Sequence, residues 1–406
     1  MLTARELERR LVDYTRTKLV APEAHHVVTA DTRLFEERVI DSLRILELIA
    51  FLEAQLGRKV PDAQVVLANF RTIGIMASVF AGDSPPAVVP RRKPRNADRN
   101  STKPPARRTE RIFEHATGRT QYHPDSVADL IDRGEIDVLE GGEIRFHEST
   151  LALSWYFDNV VREWARDLGA TETESPEAIK VETLQRAGFV EAFPQKLVMS
   201  SEPGRALSPA VCYHAYPRLQ GRTLEADGSL TTTVGRCFRE ESDGDHPLER
   251  LRAFTMREII VVGGASAVTR LREEMIEKVS TWVEALGLDG YIEPATDPFF
   301  TSEARGRMLA QQLLPLKYEL RLGVGGSGRT IAAASFNDHQ QHFGRAFDIC
   351  LPGNATAHSG CVAFGWERWV LAFVSQHGPD ARNWPDVSRS PHQDVSSRRS
   401  AHANVA

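Results

Sequence analysis

The sequence predicts an α+β protein in which a small all-α helical bundle precedes an antiparallel sheet flanked by helices. Three observations lead there. In Val234 to Gly263, VGRCFREESDGDHPLERLRAFTMREIIVVG, two β-rich runs flank a Ser/Asp/Gly/Pro insertion, the signature of a hairpin with a long tip. Apolar residues recur at helical spacing in Thr3–Leu19, Asp41–Leu56, Ser149–Leu168 and Ala265–Leu286. Between the first two helices and the last two lies a Pro/Arg-rich stretch with no apolar period, which separates a bundle from a mixed body.

Residues 1–82 read as the bundle. The helix of Asp41–Leu56 is strongly amphipathic and is closed by Gly57, which suits the left-handed position just past a helix end. Asp41-Ser42-Leu43 opens it, and either Asp41 or Ser42 can serve simply as an N-cap. The whole segment consists of a helix, a loop containing Asp31 to Glu37, the helix opened by DSL, and a short helix near Phe70–Ala81. It resembles an acyl or peptidyl carrier protein. That resemblance implies a 4′-phosphopantetheine arm on Ser42. Such carriers are usually acidic, whereas residues 1–82 carry 11 basic and 11 acidic side chains.

Residues 83–110 form the expected linker, with 8 basic and 3 acidic side chains. Their 28 residues would span ~30 Å as flexible coil and ~85 Å as extended chain, enough for a carrier to reach the next domain. Tethering then gives an effective concentration on the order of millimolar. Residues 385–406 carry 3 basic and 2 acidic residues and read as a disordered tail. With a chain total of −5, residues 111–384 are left at −11. An acidic body repels phosphate backbones, which disfavours tRNA or other nucleic acid as a partner. No apolar run approaches the ~20 residues of a membrane span, and the first 15 residues are charged rather than signal-like. No membrane association is expected, and the expected location is the cytoplasm. Four cysteines, Cys212, Cys237, Cys350 and Cys361, suit reduced thiols or metal ligands better than a disulfide scaffold.

In the body, alternation places Arg239 and Glu241 on one face of the first hairpin strand, and Phe254, Met256 and Glu258 on one face of the second. Arg and Glu on a hairpin also make solvated ion pairs, so the ribbon alone decides nothing. Strands at Leu316–Val324 and Thr330–Asn337 are joined by GGSG, which lacks the following Lys-Ser/Thr of a phosphate loop and reads as a turn. Ser359–Phe373, SGCVAFGWERWVLAF, closes the ordered chain with Arg368 opening an apolar helix.

FRxE at Phe238–Glu241, the aromatic Phe254, and Gly365 with Arg368 resemble the second and third signature motifs of class II aminoacyl-tRNA synthetases; Pro176 in GATETESP suits the first. The resemblance implies a class II synthetase-like fold in which Arg239, Glu241 and Arg368 act on ATP and its Mg2+, with Phe254 and Arg250 near adenine. Fixed guanidinium groups suit the negative charge that builds as a carboxylate attacks the α-phosphorus. Two cysteines and a carboxylate, Cys212, Glu258 and Cys361, would make a three-ligand zinc site with one open position; each cysteine alone could equally be a small buried hydrophobe.

In the contexts CYH, TMREI and SGCVAFGWER, together with DPFF, KYEL and ASFNDHQQHFG, this trio is similar to the amino acid:[carrier protein] ligases, relatives of atypical zinc-dependent seryl-tRNA synthetases. The similarity covers about Arg119 to Gln376. It implies zinc on Cys212, Glu258 and Cys361, a small amino acid such as glycine or alanine as substrate, a carrier protein as acceptor in cis or in trans, and a homodimer. Ile331 stands where many class II relatives place a magnesium-binding Glu. The expected chain is thus a carrier domain at 1–82, a linker at 83–110 and a ligase domain at 111–384, with a tRNA-charging enzyme and a catalytically inactive carrier- or nucleotide-binding paralogue as the alternatives.

Overall fold

The computed structural model describes residues 2–20, 28–35, 39–40, 42–61, 64–81, 111–118, 122–123, 125–140, 143–240, 248–295, 316–325 and 328–387. The expected linker, all but the first three residues of the expected tail, Glu241, the DPFF segment at Asp297–Phe300 and the side chain of Ser42 lie outside them. The chain divides into two compact units, residues 1–109 with 295–316, and 110–294 with 317–406.

In the first unit, α1 (Ala4–Tyr14) begins at Thr3, whose hydroxyl accepts from the Glu6 amide, and runs into a π-helical turn, Thr15–Leu19. Ser42 is the first residue of α2 (Ser42–Leu56), after which Gly57 takes the left-handed conformation (φ 64°) expected of it. Helices α3 (Leu67–Phe70) and α4 (Ile73–Phe80) follow, α4 capped by the Thr72 hydroxyl. Leu7, Leu11, Ile45, Leu48, Leu52, Phe70, Met76 and Phe80 meet in a dry core. Among its described residues the unit is therefore all-α, with its own apolar centre.

The second unit is built on an eight-stranded sheet. Its strands are β1 (Phe113–His115), β2 (Thr171–Glu174), β3 (Ser229–Phe238), β4 (Ala253–Gly263), β5 (Gly290–Pro294), β6 (Lys317–Gly323), β7 (Thr330–Gln340) and β8 (His358–Gly365), in the order β1-β5-β6-β7-β8-β4-β3-β2. Every neighbouring pair is antiparallel except β2 with β3. The predicted hairpin is β3–β4, in register Cys237↔Phe254, Gly235↔Met256 and Thr233↔Glu258. The first strand stops at Phe238, so Arg239 follows the ladder rather than ending it. β6 and β7, on either side of the predicted GGSG turn, pair antiparallel, and Gly326 and Ser327 of that turn lie outside the described residues.

Alternation along the strands separates two faces. Ile259, Val261, Leu320, Phe336, Val362 and Phe364 form a core with three helices, α5 (Glu148–Asp167), α6 (Ala265–Ala285) and α7 (Trp366–His377). Aromatic rings fill it, with Phe157 against Trp369 (5.4 Å) and Trp282 stacked on Trp369 (4.4 Å). One charged group enters this layer. Arg257 is buried and donates from Nε and Nη2 to both oxygens of Asp158 on α5, at 2.6 and 2.7 Å; the indole N–H of Trp366 donates to the same carboxylate. The opposite face of the sheet carries the candidate site. Among the described residues no helix is long and apolar enough to cross a membrane.

Candidate active site

Glu258 faces Ala363 across the β4–β8 ladder, and Cys361 faces Ile260, which makes Glu258 and Cys361 diagonal neighbours on one face. Cys212 arrives from elsewhere, on the 3₁₀ turn Val211–His214 laid over that face. Gly235 permits the approach, because a Cβ there would come within 3.1 Å of a Val211 methyl and 3.2 Å of the Ser175 carbonyl oxygen. The two sulfurs and the carboxylate lie within 4.8 Å of one another, and all three residues are buried.

Their protonation states follow from that burial. A hydrogen bond with Cys361, then loss of water, pushes the Cys212 thiol well above its ordinary value. The hydrogen bond with Cys212 is the largest single influence on Cys361 and pulls it down, but burial together with the neighbouring Glu258 makes the net shift upward. Burial likewise raises Glu258. Glu258 Oε2 has no hydrogen-bond partner, an expensive condition for a buried carboxylate oxygen. A cation among these atoms would answer all three costs at once, and two sulfurs with one oxygen suit a borderline-soft divalent ion such as zinc.

Of the predicted ATP residues, Arg239 directly follows β3, Arg250 and Phe254 lie on the returning arm of the hairpin, and Arg368 is on α7. Arg239 donates its backbone amide to the Arg252 carbonyl (2.9 Å) and its Nε to the Pro209 carbonyl (2.8 Å), and holds its guanidinium 5.1 Å from the centre of the Phe254 ring. Arg368 donates from Nε to the Glu249 carbonyl (3.0 Å) and from Nη1 to that of Ala332 (3.2 Å). Both arginines are therefore pinned against residues 249–252. Arg250 is exposed in that same segment, and Glu241 lies outside the described residues. Ile331 is buried in the core on the helix side.

Several contributors were not legible in the sequence. Glu367 is buried on α7 and accepts the Thr255 amide on both oxygens, at 2.8 and 3.0 Å, beside Arg236 at 3.5 Å. It ties the helix bearing Arg368 to the strand bearing Phe254. Asn337 of β7, opposite Cys361, donates to its sulfur at 3.5 Å. The signal for Glu367 was present, a carboxylate immediately before Arg368 in a helix otherwise apolar on that side.

Residues 230–377 match the model of the class II tRNA synthetase core domain (G, H, P, S and T). The second unit thus has the fold of a class II synthetase catalytic domain, and crystalline M. kandleri seryl-tRNA synthetase in complex with A. aeolicus tRNASec superposes with a TM-score of 0.58 at 20% identity, covering 69% of this chain and 63% of that one. Among curated proteins the chain is 37% identical over 184 residues to amino acid–[acyl-carrier-protein] ligase 2 of Bradyrhizobium diazoefficiens, which is 45% of this chain and 54% of that protein. Ligase 1 of the same organism is 36% identical over 180 residues, 44% and 55% of the two chains. The chain thus spans about half the length of these relatives.

Proposed function

We propose that the protein activates an amino acid with ATP and transfers it to the thiol of a phosphopantetheine arm, with Ser42 of its own first unit as the attachment site. The observation that carries this reading is the meeting of Cys212, Glu258 and Cys361 on the same sheet as the pinned Arg239 and its neighbour Phe254. Zinc held by the two sulfurs and Glu258 would supply a Lewis acid that takes the substrate α-amine, which selects amino acids by the group common to all of them. A small side chain, glycine or alanine, is the expected substrate, as the carrier-protein ligase resemblance suggests.

The chain's own groups then do the following. Arg239 and Arg368, held by backbone carbonyls, present positive charge to the phosphates without having to reorganise as charge develops. Phe254 offers its face to the adenine, with Arg250 beside it, and Glu241 would be a ligand for the magnesium that accompanies ATP. The substrate carboxylate oxygen attacks the α-phosphorus and the bond to pyrophosphate breaks. The thiolate of the arm next attacks the carbonyl carbon and AMP leaves with the electron pair, a step suited to a sulfur nucleophile. The carrier would be loaded in cis or between subunits of a homodimer, and tethering would supply much of that second step.

The test is direct. Phosphopantetheinylated protein is incubated with ATP and each amino acid in turn, and intact mass is read for an aminoacyl thioester. An adduct with one small amino acid is expected; no adduct and no amino-acid-dependent pyrophosphate exchange would overturn the reading. Charging of added tRNA in place of the carrier would favour the synthetase alternative. Ser42→Ala should lose loading and keep exchange.

A further inference from the structure

Cys361 belongs to the proposed donor trio, and its sulfur has a second neighbour that the trio does not include. His339 Nε2 lies 3.7 Å from Cys361 Sγ, and its Nδ1 lies 3.4 Å from the Tyr216 hydroxyl. The backbone is arranged to put that ring there. Along the β7–β8 ladder Asp338 faces Gly360 and Gln340 faces Ser359, so His339 is the extra residue of a β-bulge. Bulges of this kind re-aim a side chain beside active sites. Gln340 takes φ 50°, a left-handed conformation uncommon for a residue with a Cβ, and the Asp338 carboxylate holds it by accepting the Gln340 amide at 2.8 Å. Local strain is therefore maintained at the one point that sets the direction of His339.

The far side of the ring is fixed as firmly. Phe343 meets His339 edge-on with centroids 4.9 Å apart, and Tyr216, fully buried, stacks on Phe343 at 4.0 Å. Tyr216 comes from the short helix Ala215–Leu219, which directly follows the turn that carries Cys212. One side chain thus links the segment bearing the first cysteine to the strand bearing the second.

Resting on the zinc reading above, we infer that His339 is a positioning residue that fixes the Cys361 thiolate in the metal-binding trio, itself held by the Tyr216 hydroxyl. With that hydroxyl donating to Nδ1, the imidazole keeps its hydrogen on Nε2 and donates it to sulfur. Together with Asn337 Nδ2 this gives the sulfur two N–H donors, which hold its lone pair toward the other two ligands and moderate the charge it places on the cation. Outer partners of this type govern metal affinity by about 10–100-fold.

The experiment measures zinc affinity of the full-length protein by competition with a chromophoric chelator, and the sulfur-to-cobalt charge-transfer band of the cobalt-substituted form. His339→Leu should weaken zinc by about 10–100-fold, shift the band, and raise KM for the amino acid while leaving KM for ATP in place. His339→Gln, whose amide can still donate to sulfur, should recover most of the affinity and return the band. Tyr216→Phe should move both readouts in the direction of the leucine variant. Wild-type affinity and an unmoved band in His339→Leu would overturn the inference; should that variant fail to fold, the same result in Tyr216→Phe, which keeps the ring stack, overturns it. A wild-type protein that binds no stoichiometric zinc would instead overturn the site reading itself.

Discussion

Glu367 gives both carboxylate oxygens to one backbone amide, that of Thr255, from a position almost without solvent. Burial raises its pKa above the ordinary 4.5. The native state therefore holds that proton more tightly than the unfolded chain does. Its stabilising contribution is complete below the unfolded value and is lost as pH rises through the folded one. Unfolding midpoints recorded from pH 4 upward should fall in that window for the wild type and less so for Glu367→Gln. Glu367→Ala, which orphans a buried amide, should cost about 1–3 kcal/mol in denaturant titration and lower the rate of pyrophosphate exchange through Arg368. The chemistry of Cys212, Glu258 and Cys361 was legible in residue type, because thiols and a carboxylate beside recognisable nucleotide motifs invite a common purpose. Asn337 and His339 were not, since what makes them neighbours of a sulfur is a cross-strand register and a bulge, neither of which leaves a periodic trace.

At the level of elements, the hairpin was readable because alternation and turn residues are local, whereas β2 was not. Thr171–Glu174 reads TETE, with no apolar member, and becomes a strand only by lying parallel to β3 at the sheet edge. The bond between Arg257 and Asp158 is equally silent in sequence, joining residues 99 apart. It fastens α5 beneath β4, one residue from Glu258. Asp158→Ala removes the two shortest bonds of a buried guanidinium, leaving it Thr232 at 3.2 Å and Glu172 at 3.6 Å, and should cost about 1–3 kcal/mol, while replacing both partners with apolar residues of similar volume should restore most of it. Gly360 makes a second such joint, where a Cβ would sit 2.6 Å from a Val268 methyl of α6 and 2.8 Å from the Asn337 carbonyl oxygen. Gly360→Ala should cost about 1–3 kcal/mol and loosen the proposed metal site, since Cys361 is the next residue. Thermal melts and zinc titration on the same sample check both effects.

For the whole molecule, an apolar core within each compact unit implies two folding units. A chain cut to residues 111–406 should keep amino-acid-dependent pyrophosphate exchange, and separately made, phosphopantetheinylated residues 1–82 should be loaded by it in trans, more slowly than when tethered; intact mass over time measures both. Composition changes abruptly after residue 82, while the compact units divide between residues 109 and 110, with 295–316 grouped with the first. The unpartnered Glu258 oxygen has a consequence at this same scale. An ion that binds only the native form stabilises it by mass action, about 2.7 kcal/mol when free ion stands at one hundred times its dissociation constant. Unfolding midpoints should therefore climb with added zinc in the wild type and stay flat in Glu258→Ala. With the proposed site loaded, the same arithmetic would make trace-metal nutrition in a cell a control on how many copies survive proteolysis, so that starvation for the ion would deplete the protein itself.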